Sequence, residues 1–288
     1  MIKRIRQIVV VGIISALLWL AWSLWTGFFV GSDELVVWNF DIGQGSAALL
    51  KTPDGQIVLF DGGPDARLLS KVGSVLPSWQ RDVDLVLASH PDTDHIAGFV
   101  PLSKAYKVNT FADPGLFEVI PLENSLLQGF LEQKTEIKSL QAGDILNVGG
   151  VEIKVLSPSN TEKLSSDTNT RSLVILVTYK ETSLLFMGDA STETEKRLVK
   201  EGIEPVDVLV VGHHGSISAS STEFLEATKP KWAVISAGRD NNFGHPHPVV
   251  LERLKAISTK ILRTDQMSDI LLKTNGKNIE INPHPLPF

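Results

Sequence analysis

No cysteine occurs anywhere in the 288 residues. That excludes disulfides, thiolate zinc sites and cysteine nucleophiles, and it leaves the redox compartment open. Histidine is scarce as well, at seven residues, and none lies between His95 and His213. No repeat of fixed short period is present, and beyond Gly31 no linker is long enough to divide the chain. Positive charge is also in short supply. After residue 30 the chain has 24 basic against 33 acidic residues, a net of −9. Such a balance opposes tight non-specific binding to a nucleic-acid backbone. Bound divalent cations would offset part of it locally.

Long apolar runs are absent with one exception. After MIKRIRQ, with Lys3, Arg4 and Arg6, the 23 residues from Ile8 to Val30 carry no charge. At about 1.5 Å per residue a helix of that length crosses a hydrocarbon core of about 30 Å. Trp22 and Trp25 suit an interfacial belt, and the basic flank argues for a cytoplasmic amino terminus with everything after Val30 outside. A cleaved signal peptide is the competing reading. Its apolar region is normally about 7–15 residues, shorter than this one, and Ala21-Trp22-Ser23 is a weak cleavage candidate. The expected organisation is a single-pass anchor (or uncleaved signal) over 1–31 and one domain over 32–288, placed outside the cell membrane.

Beyond Gly31 short β-rich runs give way to strands alternating with helices. Strands are expected at Leu35–Phe40, Ser46–Lys51, Ile57–Asp61, Asp84–Ser89, Val108–Ala112, Val151–Leu156, Ser172–Tyr179, Ser183–Met187, Val206–Val211, Trp232–Ser236, Lys260–Arg263 and Ile270–Thr274. Helices are expected at Ala66–Val72, Ile96–Ser103, Leu122–Gln133, Ser191–Glu201, Ser221–Thr228 and Pro248–Ile257. Thr192 and Glu195 have capping-box spacing. Two stretches that each begin β-β and then alternate with helices suggest a four-layer αββα sandwich of the α/β (α+β) class.

The ligand-type side chains gather at the expected strand ends. SHPDTDHIAGF follows a buried strand and sets out His90, Asp92, Asp94 and His95 as H-x-D-x-D-H. Alternate residues of such a loop point to one side, so His90 and Asp92 can serve one metal ion while Asp94 and His95 serve a second. A solvated turn would explain the aspartates but not both histidines. Asp61, ending another strand, could orient a metal-bound histidine from behind; taken alone, a helix-cap or turn aspartate is the better reading. Asp189, in FMGDAS, could bridge two ions. VLVVGHHGS brings His213 and His214 to a further strand end, followed by hydroxyl-rich SISASS with Ser216 and Ser218. AGRDNNFGHPHP adds Arg239, Asn241, Asn242, His245 and His247, donors suited to a phosphate or carboxylate. For His247 a proline-fixed turn is the better reading, and His284 in the tail has no expected role.

These motifs, in this order, resemble the metallo-β-lactamase superfamily. More narrowly, FDIGQG, TPDG, FDGGP, SHPDTDHIAG, NTRSLVI, VGHHGS and RTDQ are similar to the hydrolase domain attached to ComEC-type DNA-uptake channels, over roughly Val36 to Ile270. Asp92 stands where most of the superfamily has histidine, which agrees with the ComEC-like group. The superfamily's histidine between this motif and the bridging aspartate is missing, and Asn169 stands in that segment. The first site is thus poor in nitrogen, and manganese becomes as reasonable as zinc. The glycine that the family has after RTD is also absent. With a single apolar span these residues are expected to form a hydrolase module rather than a channel.

The resemblance implies a binuclear metal-dependent hydrolase, a phosphodiesterase or nuclease using two divalent ions, zinc or manganese. His90 and Asp92 would hold one ion; Asp94, His95 and one of His213 and His214 the other; Asp189 would be shared. The remaining histidine of the pair, or His245, would protonate the leaving oxygen, and Ser216, Ser218 and Arg239 would hold flanking phosphates. The implied partners are a phosphodiester, single-stranded DNA in particular, the membrane, and an uptake complex. An esterase acting on phosphate groups of envelope polymers, or a non-catalytic metal-stabilised partner of an uptake complex, are the alternatives, and β-lactam hydrolysis is a remote fourth.

Overall fold

The computed structural model describes residues 12–19, 33–115 and 121–282. The chain divides into two units, Met1–Asp33 and Glu34–Phe288. In the first, residues 12–19 form a short helix, α1. The rest of the apolar run Ile8–Val30 lies outside the described residues, as does His284. Among the described residues no helix is long and apolar enough to cross a membrane.

The second unit is built on strands buried from both sides. β1 (Leu35–Asn39) reads LVVWN and is buried at every position. Leu35 and Val37 belong to one apolar cluster and Val36 and Trp38 to another, because successive side chains point to opposite faces of a sheet. Eight strands make the first sheet, in the order β15 (Ile279–Asn282), β14 (Ile270–Thr274), β1, β2 (Ala47–Lys51), β3 (Ile57–Gly62), β4 (Asp82–Leu87), β5 (Lys107–Asp113) and β6 (Glu136–Ser139). The second has seven: β13 (Lys260–Arg263), β12 (Trp232–Ile235), β11 (Val208–Val210), β10 (Thr182–Phe186), β9 (Val174–Tyr179), β8 (Val151–Ser157) and β7 (Ile145–Val148). Pairing is parallel from β3 to β6 and from β10 to β13, and antiparallel elsewhere.

Three apolar clusters mark three layer boundaries. The central one joins the sheets, where Phe60 of β3 meets Phe186 of β10 with ring centroids 5.3 Å apart. Helices α2 (Arg67–Val75), α4 (Phe99–Ala105) and α5 (Pro121–Glu132) cover the first sheet through Leu68, Phe99, Leu126 and Phe130. Helices α6 (Thr192–Lys200), α7 (Thr222–Thr228) and α8 (Pro248–Ala256) cover the second through Leu198, Phe224 and Leu254. The architecture is the expected αββα sandwich.

Local differences have physical reasons. β6, β7 and β15 were not expected; each is a sheet edge of four residues, β6 exposed throughout and β7 and β15 only half-buried on one face, through Leu146, Val148, Ile279 and Ile281. The helix expected over Ile96–Ser103 is two, α3 (Thr93–Ile96) and α4, because the Gly98 amide between them donates across to the Gly63 carbonyl (3.0 Å). The capping box at Thr192 and Glu195 does not form. Ser191 is the cap, accepting from the Glu193 amide, while the Glu195 carboxylate accepts from the amides of Ser220 (2.5 Å) and Ser221 (2.8 Å).

Truncating Phe60 to alanine should cost about 3–5 kcal/mol, since the cavity would lie between two rigid sheets that collapse poorly. Leu131→Ala, on an exposed side chain, should stay within about 0.5 kcal/mol. Urea unfolding of the two variants checks this, and similar midpoints would contradict the packing described.

Candidate metal centre

The functional side chains sit where the parallel strands of both sheets end. Asp61 closes β3, Ser89 to His95 follow β4, Asp189 follows β10, His213 and His214 follow β11, and Ser236 follows β12. Ligand sites in α/β sheets lie outside the carboxyl ends of strands because the loops there are free to diverge. The GQG loop supports this edge: a Cβ on Gly45 would fall on the Asp94 carbonyl oxygen, and the Ser46 amide donates to that carbonyl (3.2 Å). Glycine is required there by close approach.

Asp61, fully buried and held at φ 59°, organises the histidines. Its Oδ1 accepts from the Ser89 amide (2.8 Å), and its Oδ2 accepts from Ser89 Oγ (2.9 Å) and from His95 Nδ1 (2.7 Å). Ser89 has a single hydroxyl proton, and Asp61 takes it. His90 Nδ1, 2.9 Å from Ser89 Oγ, must then be the donor in that pair. His214 Nδ1 lies 2.9 Å from the Ser236 carbonyl oxygen and must donate to it. When neutral, His90, His95 and His214 therefore all turn a bare Nε2 inward.

What those nitrogens face is more electron density. His95 Nε2 is 3.3 Å from His214 Nε2 and 3.2 Å from Asp189 Oδ1. His214 Nε2 is 3.3 Å from Asp94 Oδ2, and His90 Nε2 is 3.6 Å from Asp92 Oδ2 and 3.9 Å from Asp189 Oδ2. His90 Nε2, Asp189 Oδ1 and Asn169 Oδ1 are buried with no hydrogen-bond partner among the described residues. Buried lone pairs aimed at one another are costly unless protons or cations lie between them. The donor set, imidazole nitrogen and carboxylate oxygen, fits a divalent ion. His90, His95 and Asp189 form one group that could hold an ion, and Asp94, His95 and His214 form another. His95 has one free nitrogen and can enter only one sphere, so Asp92, beside His90, is the residue available to complete the other.

Without cations the cluster gathers protons instead. Burial pushes the His95 pKa down, but Asp189 and Asp61 outweigh it and hold it well above 6.5. Burial pushes Asp189 up, yet His95 and His214 keep its carboxyl well below the usual range. Asp94 follows the same logic: burial opposes its charge, His214 and His95 win, and its pKa is lowered to about 2. Asp92 is lowered chiefly by the His90 imidazole 3.6 Å away.

His213 and His214 occupy a 3-10 turn, Gly212–Gly215, with both at left-handed φ of 49° and 53°. Such residues cost about 1–3 kcal/mol each and persist where surrounding structure overrides them. Here the His213 amide donates to the Gly188 carbonyl (3.0 Å) and Glu195 pins the following loop. The strain separates the pair. His214 joins Asp94 and His95, whereas His213, its Nε2 3.7 Å from Asp189, stays more exposed and stands apart from both groups. Burial lowers the pKa of His213 and, with His213 and His214 nearby, that of His245.

Among the remaining candidates, Ser216 and Ser218 are in place, their hydroxyl oxygens 3.0 Å apart and Ser218 Oγ 3.3 Å from His213 Nδ1. His245 joins them, its ring centroid 5.7 Å from that of His213. Asn169 sits in the turn beside Thr168, which donates to Asp92 (3.3 Å). Arg239 donates through Nε to the Asp265 carbonyl (3.2 Å) in the neighbouring loop. His247 caps α8, accepting from the Val249 amide. Sequence reasoning missed Ser89, Ser236 and Glu195. Ser89 stood inside the motif and was legible only as a strand end, while the Ser236 carbonyl and the Glu195 carboxylate act on distant partners that no spacing reveals.

Residues 40–239 match the family described as the Metallo-beta-lactamase superfamily. The chain is 35% identical over 193 residues to ComE operon protein 3 of Bacillus subtilis (strain 168), covering 66% of this chain and 24% of that protein. It is 32% identical over 238 residues to Competence protein ComA of Neisseria gonorrhoeae, covering 82% and 32%. The chain thus spans between about a quarter and a third of the length of these curated relatives. The solved metallo-beta-lactamase fold protein YhfI from Bacillus subtilis has the same fold, with TM-score 0.56 and 15% identity over 86% of this chain and 100% of that one.

A pH test follows from the coupled pair. Asp189, depressed below 3.8, contributes stability that is present above that value and is lost as pH falls. His95, raised above 6.5, contributes stability that is full below 6.5 and is lost as pH rises through its folded-state pKa. In chelator the melting temperature should therefore fall above pH 6.5. With excess zinc or manganese the slope should reverse, since binding needs unprotonated imidazole. Asp61→Asn should shrink the fall in chelator and end it at lower pH, since it removes one of the two carboxylates that raise His95. Melts that are flat with pH in chelator would contradict the coupling.

Proposed function

This chain belongs to the metallo-beta-lactamase superfamily, and from that premise we propose that it is a binuclear metal-dependent phosphodiesterase acting on DNA outside the cell membrane. The observation that carries the reading is the pair of Nε2 atoms of His95 and His214, 3.3 Å apart, faced by the carboxylates of Asp94 and Asp189 and bare whenever the rings are neutral. Its competence-protein relatives support DNA as the polymer. The basic start MIKRIR and the apolar run Ile8–Val30 support a membrane anchor with the catalytic unit outside.

His90, Asp92 and Asp189, with Asn169 adjacent, would hold one ion; Asp94, His95 and His214, sharing Asp189, the other. What such ions supply when bound is Lewis acidity toward a phosphoryl oxygen and a water of lowered pKa. The chain does the rest. Asp61 and the Ser236 carbonyl keep His95 and His214 in the tautomer that leaves Nε2 free. His213, oriented by Ser218, donates a proton to the leaving oxygen, with His245 behind it. Ser216 and Ser218 offer hydroxyl donors to a flanking phosphate. The net charge of −9 beyond residue 30 favours a second reading, esterase action on phosphate groups of envelope polymers, and substrate preference decides between them.

The double variant D94A/H95A should lose metal-dependent turnover of both bis-p-nitrophenyl phosphate and single-stranded DNA while keeping its circular-dichroism spectrum; retained turnover would refute the assignment. His213→Ala should divide the two substrates. Loss of a proton donor should slow DNA cleavage by about 100-fold or more but should barely slow expulsion of a p-nitrophenolate, which leaves without protonation. Equal losses on both would mark His213 as a metal ligand instead.

A further inference from the structure

Phe243 is 69% exposed although it belongs to the loop that carries His245. The loop is not a loose one. Asn241 Oδ1 accepts from the amides of Phe243 (3.1 Å) and His245 (3.0 Å), and its Nδ2 donates to the carbonyls of Gly238 (2.8 Å) and His245 (2.6 Å). Four hydrogen bonds from one side chain thus hold the loop and present the phenyl ring outward. The ring lies over His245, centroids 5.9 Å apart and planes 24° from parallel. His245 is next to His213 at 5.7 Å, and His213 Nε2 is 3.7 Å from Asp189. A stepped line of rings therefore runs from the metal centre to solvent and ends on a free aromatic face. On the neighbouring loop Ile217, 53% exposed, stands between Ser216 and Ser218 beside the same His213.

We propose that Phe243 is a specificity-determining residue, a stacking platform for the unpaired base next to the phosphate held at the metal centre, and that the substrate is accordingly single-stranded DNA. The proposal rests on the hydrolase reading above and names its substrate. A base can reach an exposed ring face only when it is not paired in a duplex, and stacking accepts every base because each has a π face. Stacking is also insensitive to the net negative charge that weakens backbone binding. It gives this acidic chain a means of holding a polyanion which does not depend on a basic groove.

The test uses the metal-loaded full chain in detergent and cleavage-resistant phosphorothioate 12-mers, one bearing thymine throughout and one abasic, with affinities read by fluorescence anisotropy. The wild-type chain should bind the thymine strand about tenfold or more tighter than the abasic strand. In F243A that ratio should fall close to one, and F243W should restore it. A wild-type ratio near one, no binding of the thymine strand, or a ratio that F243A leaves unchanged would each overturn the proposal; the first of these, with turnover of abasic phosphodiesters, would point to envelope polymers. Turnover of bis-p-nitrophenyl phosphate by the wild-type chain separates the two claims. Turnover without base-dependent binding removes the platform and leaves the hydrolase, whereas base-dependent binding without turnover does the reverse.

Discussion

The carboxylate of Asp189 is the constraint around which the domain is arranged. It is 5% exposed, and the Nε2 atoms of His90, His95, His213 and His214 lie between 3.2 and 3.9 Å from it. A buried charge left uncompensated costs several kcal/mol. The surrounding imidazoles compensate it either by taking protons or by sharing cations. Both states draw on the same geometry, so the site that could hold metal is also the site whose protonation follows pH.

That geometry is held at two depths. Nearest the cluster, Asp61, Ser89 and the Ser236 carbonyl fix which nitrogen of each histidine carries hydrogen. Farther out, Glu195 on α6 and Arg253 on α8 grip the backbone at Ala219, Ser220 and Ser221, from the amide side and the carbonyl side respectively. Between these shells the left-handed turn at His213 and His214 persists because neither neighbour can relax without breaking buried hydrogen bonds. The two sheets supply the rigid frame, since an interior packed to crystal-like density transmits displacement rather than absorbing it.

A negative domain acting on a polyanion must concentrate its attraction. On the proposed reading the attraction would be local: cations held at the strand ends, hydroxyl donors at Ser216 and Ser218, and the exposed aromatic face of Phe243. Arg239, which the sequence offers as a phosphate donor, commits its Nε to the Asp265 carbonyl. Binding built this way would depend on metal and on unpaired bases more than on ionic strength, as the proposed polyanionic substrate of a domain with net negative charge requires.

Much of this was determined by the amino-acid sequence alone. Strands such as LVVWN and IVLFDG, buried on both faces, carry runs of apolar residues that announce themselves, and ligand residues set directly after them are read with them. The αββα order and the positions of His90, Asp92, Asp94, His95, Asp189 and the His213-His214 pair follow from local pattern. The edge strands β6, β7 and β15 do not, because each is only four residues long and its inward face is half-buried at most, too short and too shallow a pattern to stand out. Only the tertiary structure decided that Glu195 holds a loop rather than caps its own helix. It alone also decided that His214 and not His213 meets Asp94, and that Phe243 is left facing water. Those outcomes depend on which strand ends are brought side by side, over separations of up to 120 residues as between Asp94 and His214, and no local spacing encodes that.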